Sequence, residues 1–108
     1  MPQIKIRGIG AEKIRSISKE LVDELTQIVG CPRDYFTIEC IETTSIFDGE
    51  VVETYPFIEV VWFDREQDIQ DKVAKTLTKY VNQLGVKDLD IAFTLFQKNR
   101  YYENGEHF

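Results

Sequence analysis

The spacing of apolar residues switches from alternate positions to a three-and-four pattern and back, and it does so twice along the chain. Ile4 and Ile6 alternate with Gln3, Lys5 and Arg7, which is the period of a half-buried strand. From Glu12 the period lengthens, and Ile14, Ile17, Leu21, Leu25 and Ile28 form one stripe of a helix that Gly30 stops and Pro32 forbids to continue. Alternation returns over Phe36 to Ile41, and Asp48-Gly49 between Ser45-Ile46-Phe47 and Glu50-Val51-Val52 predicts a tight hairpin. The second unit opens at Pro56 with the most hydrophobic strand, Phe57 to Phe63. Asp64 and Gln67 resemble a capping box, Ile69, Val73, Leu77, Val81 and Leu84 mark a helix ended by Gly85, and a last strand runs from Leu89 to Leu95. Pro2 thus falls on Pro56 and Gly30 on Gly85, a period of about 54 residues. The expectation is a single domain over 1–108, with pseudo-repeats at about 2–55 and 56–108.

This is an α+β pattern: two pseudo-repeated βαβ units, a four-stranded sheet and two helices on one face. Ile4, Ile6, Phe36, Ile38, Cys40, Ile58, Val60, Trp62, Ile91, Phe93 and Leu95 are expected to meet the helical stripes. The opposite face carries Lys5, Arg7, Glu39, Glu59 and Asp90 with Phe57 and Val61. It either faces water or meets another subunit, where its charges must pair because an unpaired buried charge is costly.

With 13 basic and 19 acidic residues the net charge is -6, which repels phosphate backbones and anionic membranes and leaves no footprint for nucleic acid. No apolar run reaches spanning length and the first residues hold no hydrophobic signal core, so a cytoplasmic protein without membrane contact is expected. Cys31 and Cys40 form no CxxC motif and His107 is the only histidine, so neither a metal nor any other cofactor is expected. His107 reads as a packing or hydrogen-bonding residue. Tyr101, Tyr102 and Phe108 in the tail need apolar surface, supplied by this sheet or a neighbour's.

Pro2 is the residue with unusual chemistry. An internal proline is a non-basic amide, but once Met1 is removed the prolyl nitrogen is a secondary amine able to take and return a proton. Burial or a nearby cation disfavours its ammonium form and makes it a base near neutral pH.

The order β, α, β, β, α, β fits both the ferredoxin-like sandwich and the two-unit fold of the tautomerase superfamily. Met1-Pro2 before an alternating strand, the duplicated unit, Gly30 and Pro32 leading to Tyr35, and the aromatic tail together resemble the macrophage migration inhibitory factor and 4-oxalocrotonate tautomerase-like fold. More closely, Tyr55-Pro56, Glu59, Trp62-Phe63 and the ending Tyr101-Tyr102 through Gly105 to His107-Phe108 resemble a bacterial tautomerase-like domain family whose function is uncharacterised. The resemblance implies a homotrimer with sheets lining a central barrel, where Lys5, Arg7, Glu39, Glu59 and Asp90 form crossed ion pairs. It implies a tautomerase-type isomerase acting on a small carbonyl acid, with Pro2 as general base. It also places Tyr35, Tyr102 and Phe108 around the substrate and Arg65 as anchor for a carboxylate. The chain departs from the pattern where Cys31 replaces a pocket lysine and where Asp90 and Ala92 replace a tyrosine and an asparagine. Hydratase or dehalogenase chemistry at the same proline, a non-catalytic trimeric ligand-binding or assembly module, and a ferredoxin-like dimer stand as alternatives.

Overall fold

The structure is a computed structural model that describes all residues, Met1 to Phe108. Strand β1 (Gln3–Arg7) leads into helix α1 (Ala11–Val29) and strand β2 (Thr37–Ile41). A hairpin of β3 (Ser45–Phe47) and β4 (Glu50–Val52) follows, then β5 (Phe57–Phe63), α2 (Gln67–Gln83) and β6 (Asp90–Phe96). The tail closes with two short strands, β7 (Tyr102–Glu103) and β8 (Glu106–His107).

The main sheet has the order β2-β1-β5-β6. Each unit pairs its own two strands in parallel, β1 with β2 and β5 with β6, and the units meet where β1 runs antiparallel to β5. In a ferredoxin-like sandwich another strand separates the two strands of a unit; here they are direct neighbours, which decides between the two architectures. Parallel neighbours need a long crossover, and both crossovers are helices packed on the same face of the sheet. Ile14, Ile17, Leu21 and Leu25 of α1, with Val73, Leu77, Tyr80 and Val81 of α2, close over Ile4, Ile6, Ile58, Val60 and Trp62. Outside that core, Glu24 accepts hydrogen bonds from Lys79 Nζ (2.7 Å) and Tyr80 Oη (3.0 Å), tying the helices together at their exposed rim.

Three details differ from the sequence expectations. Leu95 is 47 % exposed, because the helices cover the central strands and reach only as far as Ile91 and Phe93 on the edge strand β6. On the opposite face Val61 is 8 % exposed, beside Phe63, where the aromatic tail folds back over the sheet. The capping box does not form: α2 starts after Glu66 without a side-chain cap, and Gln67 Nε2 donates to Asp71 instead (2.8 Å).

Gly8, at the end of β1, has φ +81 and no room for a side chain, since a Cβ there would lie 2.7 Å from the Thr54 carbonyl oxygen and 2.9 Å from Pro56. This close approach fixes the root of the β3–β4 hairpin against the end of β1. Trp62 is 1 % exposed and packs on Phe93 with ring centroids 5.1 Å apart. Trp62→Ala should therefore cost about 3–5 kcal/mol in urea unfolding, the range for deleting a large buried aromatic. A nearly unchanged midpoint would mean that this ring does not sit in the core.

Candidate functional site

Pro2 immediately precedes β1 and is under 2 % exposed. Its carbonyl accepts the Thr37 backbone N–H (3.1 Å), which locks the start of β1 to the start of β2. The sheet register then brings three connections together at this end: the segment from Cys31 to Phe36 before β2, the Asp64–Glu66 link after β5, and the tail after β6.

Arg65 lies half-buried on the core side of that end, its guanidinium carbon 5.2 Å from the centre of the Trp62 ring. It forms none of the chain's ion pairs, which join Arg15 to Glu12, Arg33 to Asp23 and Lys79 to Glu24. Two buried donors here, Arg65 Nε and Trp62 Nε1, have no acceptor. An unpaired cation in so acidic a chain, with buried donors left over, is suited to an anionic group.

The chain-start amine shares this environment. Burial first, and then the Arg65 guanidinium, hold it below its ordinary value of 8.0, against an opposing pull from Cys31. Burial pushes the Cys31 thiol up, which favours the neutral thiol over the thiolate. Arg65 is thus the side-chain cation acting on the amine.

The other side of this end is aromatic. Phe108 stacks on Phe63 (5.3 Å, 13°), and Tyr101 meets Phe63 and Phe96 edge-on at 5.2 and 4.8 Å. Tyr101 Oη donates to Met1 Sδ (3.6 Å). Of the residues named from sequence, Pro2, Arg65 and Phe108 gather at this end. Tyr35 lies in the turn leading to β2 and is 44 % exposed. Tyr102 is 61 % exposed and packs edge-on to His107 (5.9 Å), while its neighbour Tyr101 takes the place in the aromatic cluster. Sequence reasoning missed Tyr101 as a site residue. The available signal was Phe63 and Phe96, which end their strands in register and offer an apolar seat.

The bare face of the sheet holds the second polar feature. Lys5 stands between Glu39 of β2 and Glu59 of β5 in the register, with no ion pair to either. Glu59 instead accepts from Thr94 Oγ1 (3.0 Å), and Arg7 lies over the Phe57 ring (4.7 Å). Lys5, Arg7, Ile41, Phe57 and Glu59 line a hollow of about 260 Å³. Asp90, expected among these charges, lies at the strand end, where it accepts from Tyr55 Oη at 3.4 Å. No group of three or more His, Cys, Asp or Glu side chains is placed to hold a metal, and neither helix is long and apolar enough to cross a membrane.

Replacing Arg65 by Met should raise the amine's pKa toward 8.0 while leaving it lowered in part, since burial is the larger cause. An NMR titration of the N-terminal nitrogen reads this directly. An unchanged value would show that the guanidinium does not face the amine.

The family model described as "Domain of unknown function (DUF1904)" matches residues 1–107. A DUF1904 structure from Sebaldella termitidis is 44 % identical, with all of both chains covered and a TM-score of 0.91. A protein of unknown function from Vibrio cholerae is 34 % identical over 99 % of this chain and 87 % of its own, with a TM-score of 0.88. The macrophage migration inhibitory factor-like protein of Entamoeba histolytica shares 20 % identity over 99 % and 98 % of the two chains, with a TM-score of 0.73. No curated protein matches in sequence. Parallel pairing within each βαβ unit and a buried proline at the start of β1 are thus the local marks of a chain that belongs to the DUF1904 family and has the fold of the tautomerase superfamily.

Proposed function

We propose that this protein is a tautomerase-type isomerase in which the Pro2 amine, freed by removal of Met1, moves a proton on a small carbonyl acid. The observation that carries this reading is Arg65: a guanidinium without a carboxylate partner, seated on Trp62 beside the start of the chain. Its planar fork suits a substrate carboxylate, held with two hydrogen bonds. Anchored there, the substrate presents the carbon beside its carbonyl to the prolyl nitrogen. The amine takes the proton, the electron pair forms the enolate, and the resulting ammonium returns the proton to a different carbon or to oxygen. Arg65 also offsets the negative charge that develops on the enolate. Tyr35, Tyr102 and Phe108 are the proposed contacts for the rest of the substrate, with Tyr101 added from the aromatic cluster.

The environment supports a neutral amine. Pro2 is under 2 % exposed and adjoins the amine that burial and Arg65 hold low, so the same two causes act on the nitrogen freed by cleavage. The rate then rises with pH through the amine's pKa and levels off above it, since only the unprotonated form accepts the proton.

The same reading includes a cytoplasmic homotrimer with the bare sheet faces turned inward. Its support is the arrangement of Lys5, Glu39 and Glu59, charges of both signs that form no ion pair within the chain. A second copy supplies such partners.

Steady-state turnover of small keto-enol acids tests the reaction. Pro2→Ala should lower it by about 10²- to 10⁴-fold, the usual contribution of a positioned general base, while the assembled mass persists. Equal turnover in the variant would rule out the proline as base.

A further inference from the structure

Tyr101 and Phe108 stand at the base of the hairpin that ends the chain. Tyr102 pairs with His107 and Glu103 with Glu106, and Asn104 and Gly105, with φ of 53 and 89, make the turn between them. At the base the Phe108 backbone N–H donates to the Tyr101 carbonyl (3.1 Å), so these two residues lie opposite each other. Residues opposite one another share a face, and the next pair takes the other face. Tyr101 and Phe108 are therefore turned together onto the sheet, and Tyr102 and His107 together away from it.

The Tyr101 ring is hemmed in by Phe63, Phe96 and Phe108, with ring centres 5.2, 4.8 and 5.0 Å away. A ring packed in this way cannot swing, so its hydroxyl is aimed. Its target is Met1, whose Sδ accepts from Oη at 3.6 Å. A thioether is a weak acceptor, and an oxygen bearing negative charge would suit the phenol better.

Met1 spans the distance from that hydroxyl to the site. From Sδ the covalent path runs through Cγ, Cβ, Cα and the carbonyl carbon to the Pro2 nitrogen, while the Met1 amine lies within the influence of Arg65. One small residue thus fills the space between the prolyl nitrogen, the guanidinium and the Tyr101 hydroxyl. Excision of Met1 frees the nitrogen and leaves that space, with its hydroxyl, to a molecule of similar size.

We propose that in the chain without Met1 the Tyr101 hydroxyl is a catalytic group that donates a hydrogen bond to the substrate's carbonyl oxygen, while Arg65 holds the carboxylate. This deepens the isomerase reading above and rests on it. As the Pro2 nitrogen takes the proton from the carbon beside the carbonyl, the C–H electron pair becomes a carbon–carbon double bond and the carbonyl π pair moves onto oxygen. Tyr101 keeps its own proton throughout, and its hydrogen bond strengthens as charge grows on that oxygen. The proton that the amine gains is the one it returns, so no further reactant is needed.

NMR titration of the protein lacking Met1 with oxalate and with propionate tests the assignment. Propionate offers Arg65 a carboxylate and Tyr101 nothing, whereas oxalate sets a second oxyanion where the enolate oxygen would lie. Tyr101→Phe keeps the ring and its packing and removes only the hydroxyl. It should weaken oxalate by about tenfold or more and leave propionate unchanged, while Arg65→Met weakens both. In turnover, Tyr101→Phe should lower kcat by about 10²-fold with little change in KM, as for a donor that acts on transition-state charge. A chain that keeps Met1, made with its aminopeptidase inhibited, should bind neither acid. Wild type that prefers oxalate no more than propionate, a Tyr101→Phe variant that loses both acids equally or neither, or equal binding with Met1 in place would each overturn the inference. The Pro2→Ala assay separates the two ideas. Turnover lost in Pro2→Ala but unaffected by Tyr101→Phe removes only the role of the hydroxyl. Turnover kept in Pro2→Ala removes the proposed reaction, and the oxalate preference still reads whether the hydroxyl binds an oxyanion.

Discussion

Parallel pairing of neighbouring strands within each unit is the constraint on which the rest depends. A strand that returns parallel to its neighbour must cross over, and the right-handed twist of the chain puts both crossovers on one face. The helices therefore bury Ile4, Ile6, Ile58, Val60 and Trp62 beneath them and leave the other face bare. A bare face bearing Lys5 between two glutamates and a chain start sunk at one end are consequences of that single choice of pairing.

The site inherits its character from the same geometry. Because β1 is central, its first residue is enclosed by connections from both neighbours rather than left at a fraying edge. Trp62 performs two tasks: its ring fills the core and its face carries Arg65, so the cation beside the amine is held by the packing of the core itself. The tail contributes from the bare side, where Phe63 and Phe96 seat Tyr101 and Phe108. The buried chain start, the Arg65 cation and the aromatic tail thus come from three segments distant in sequence and adjacent only through the register.

Most of the fold was legible because its signals are local. The apolar stripe from Ile14 to Leu25 and the alternation around Ile4 and Ile6 each specify an element from a few residues, and Asp48-Gly49 specifies the hairpin turn by its backbone conformation. What escaped depended on distance. Leu95 alternates correctly for the core but lies beyond the reach of the helices, which its own strand does not encode. Asp64 and Gln67 have the spacing of a cap, but α2 starts later than they imply. Tyr101 and Tyr102 are interchangeable in sequence; only the position of Phe63 across the sheet selects the first. Pro2 was named from the chemistry of a terminal prolyl amine and Arg65 through family resemblance, and nothing in the local pattern shows that they share one end of the sheet.

The account turns on the identity of the first residue, since every step of the proposed chemistry needs an amine at Pro2. The most direct measurement is the intact mass of the untagged protein purified from the cells that make it. A mass lighter by one methionine than the full sequence is the predicted result. A mass that includes Met1 would contradict the account, because Pro2 would then remain an amide with no proton to exchange.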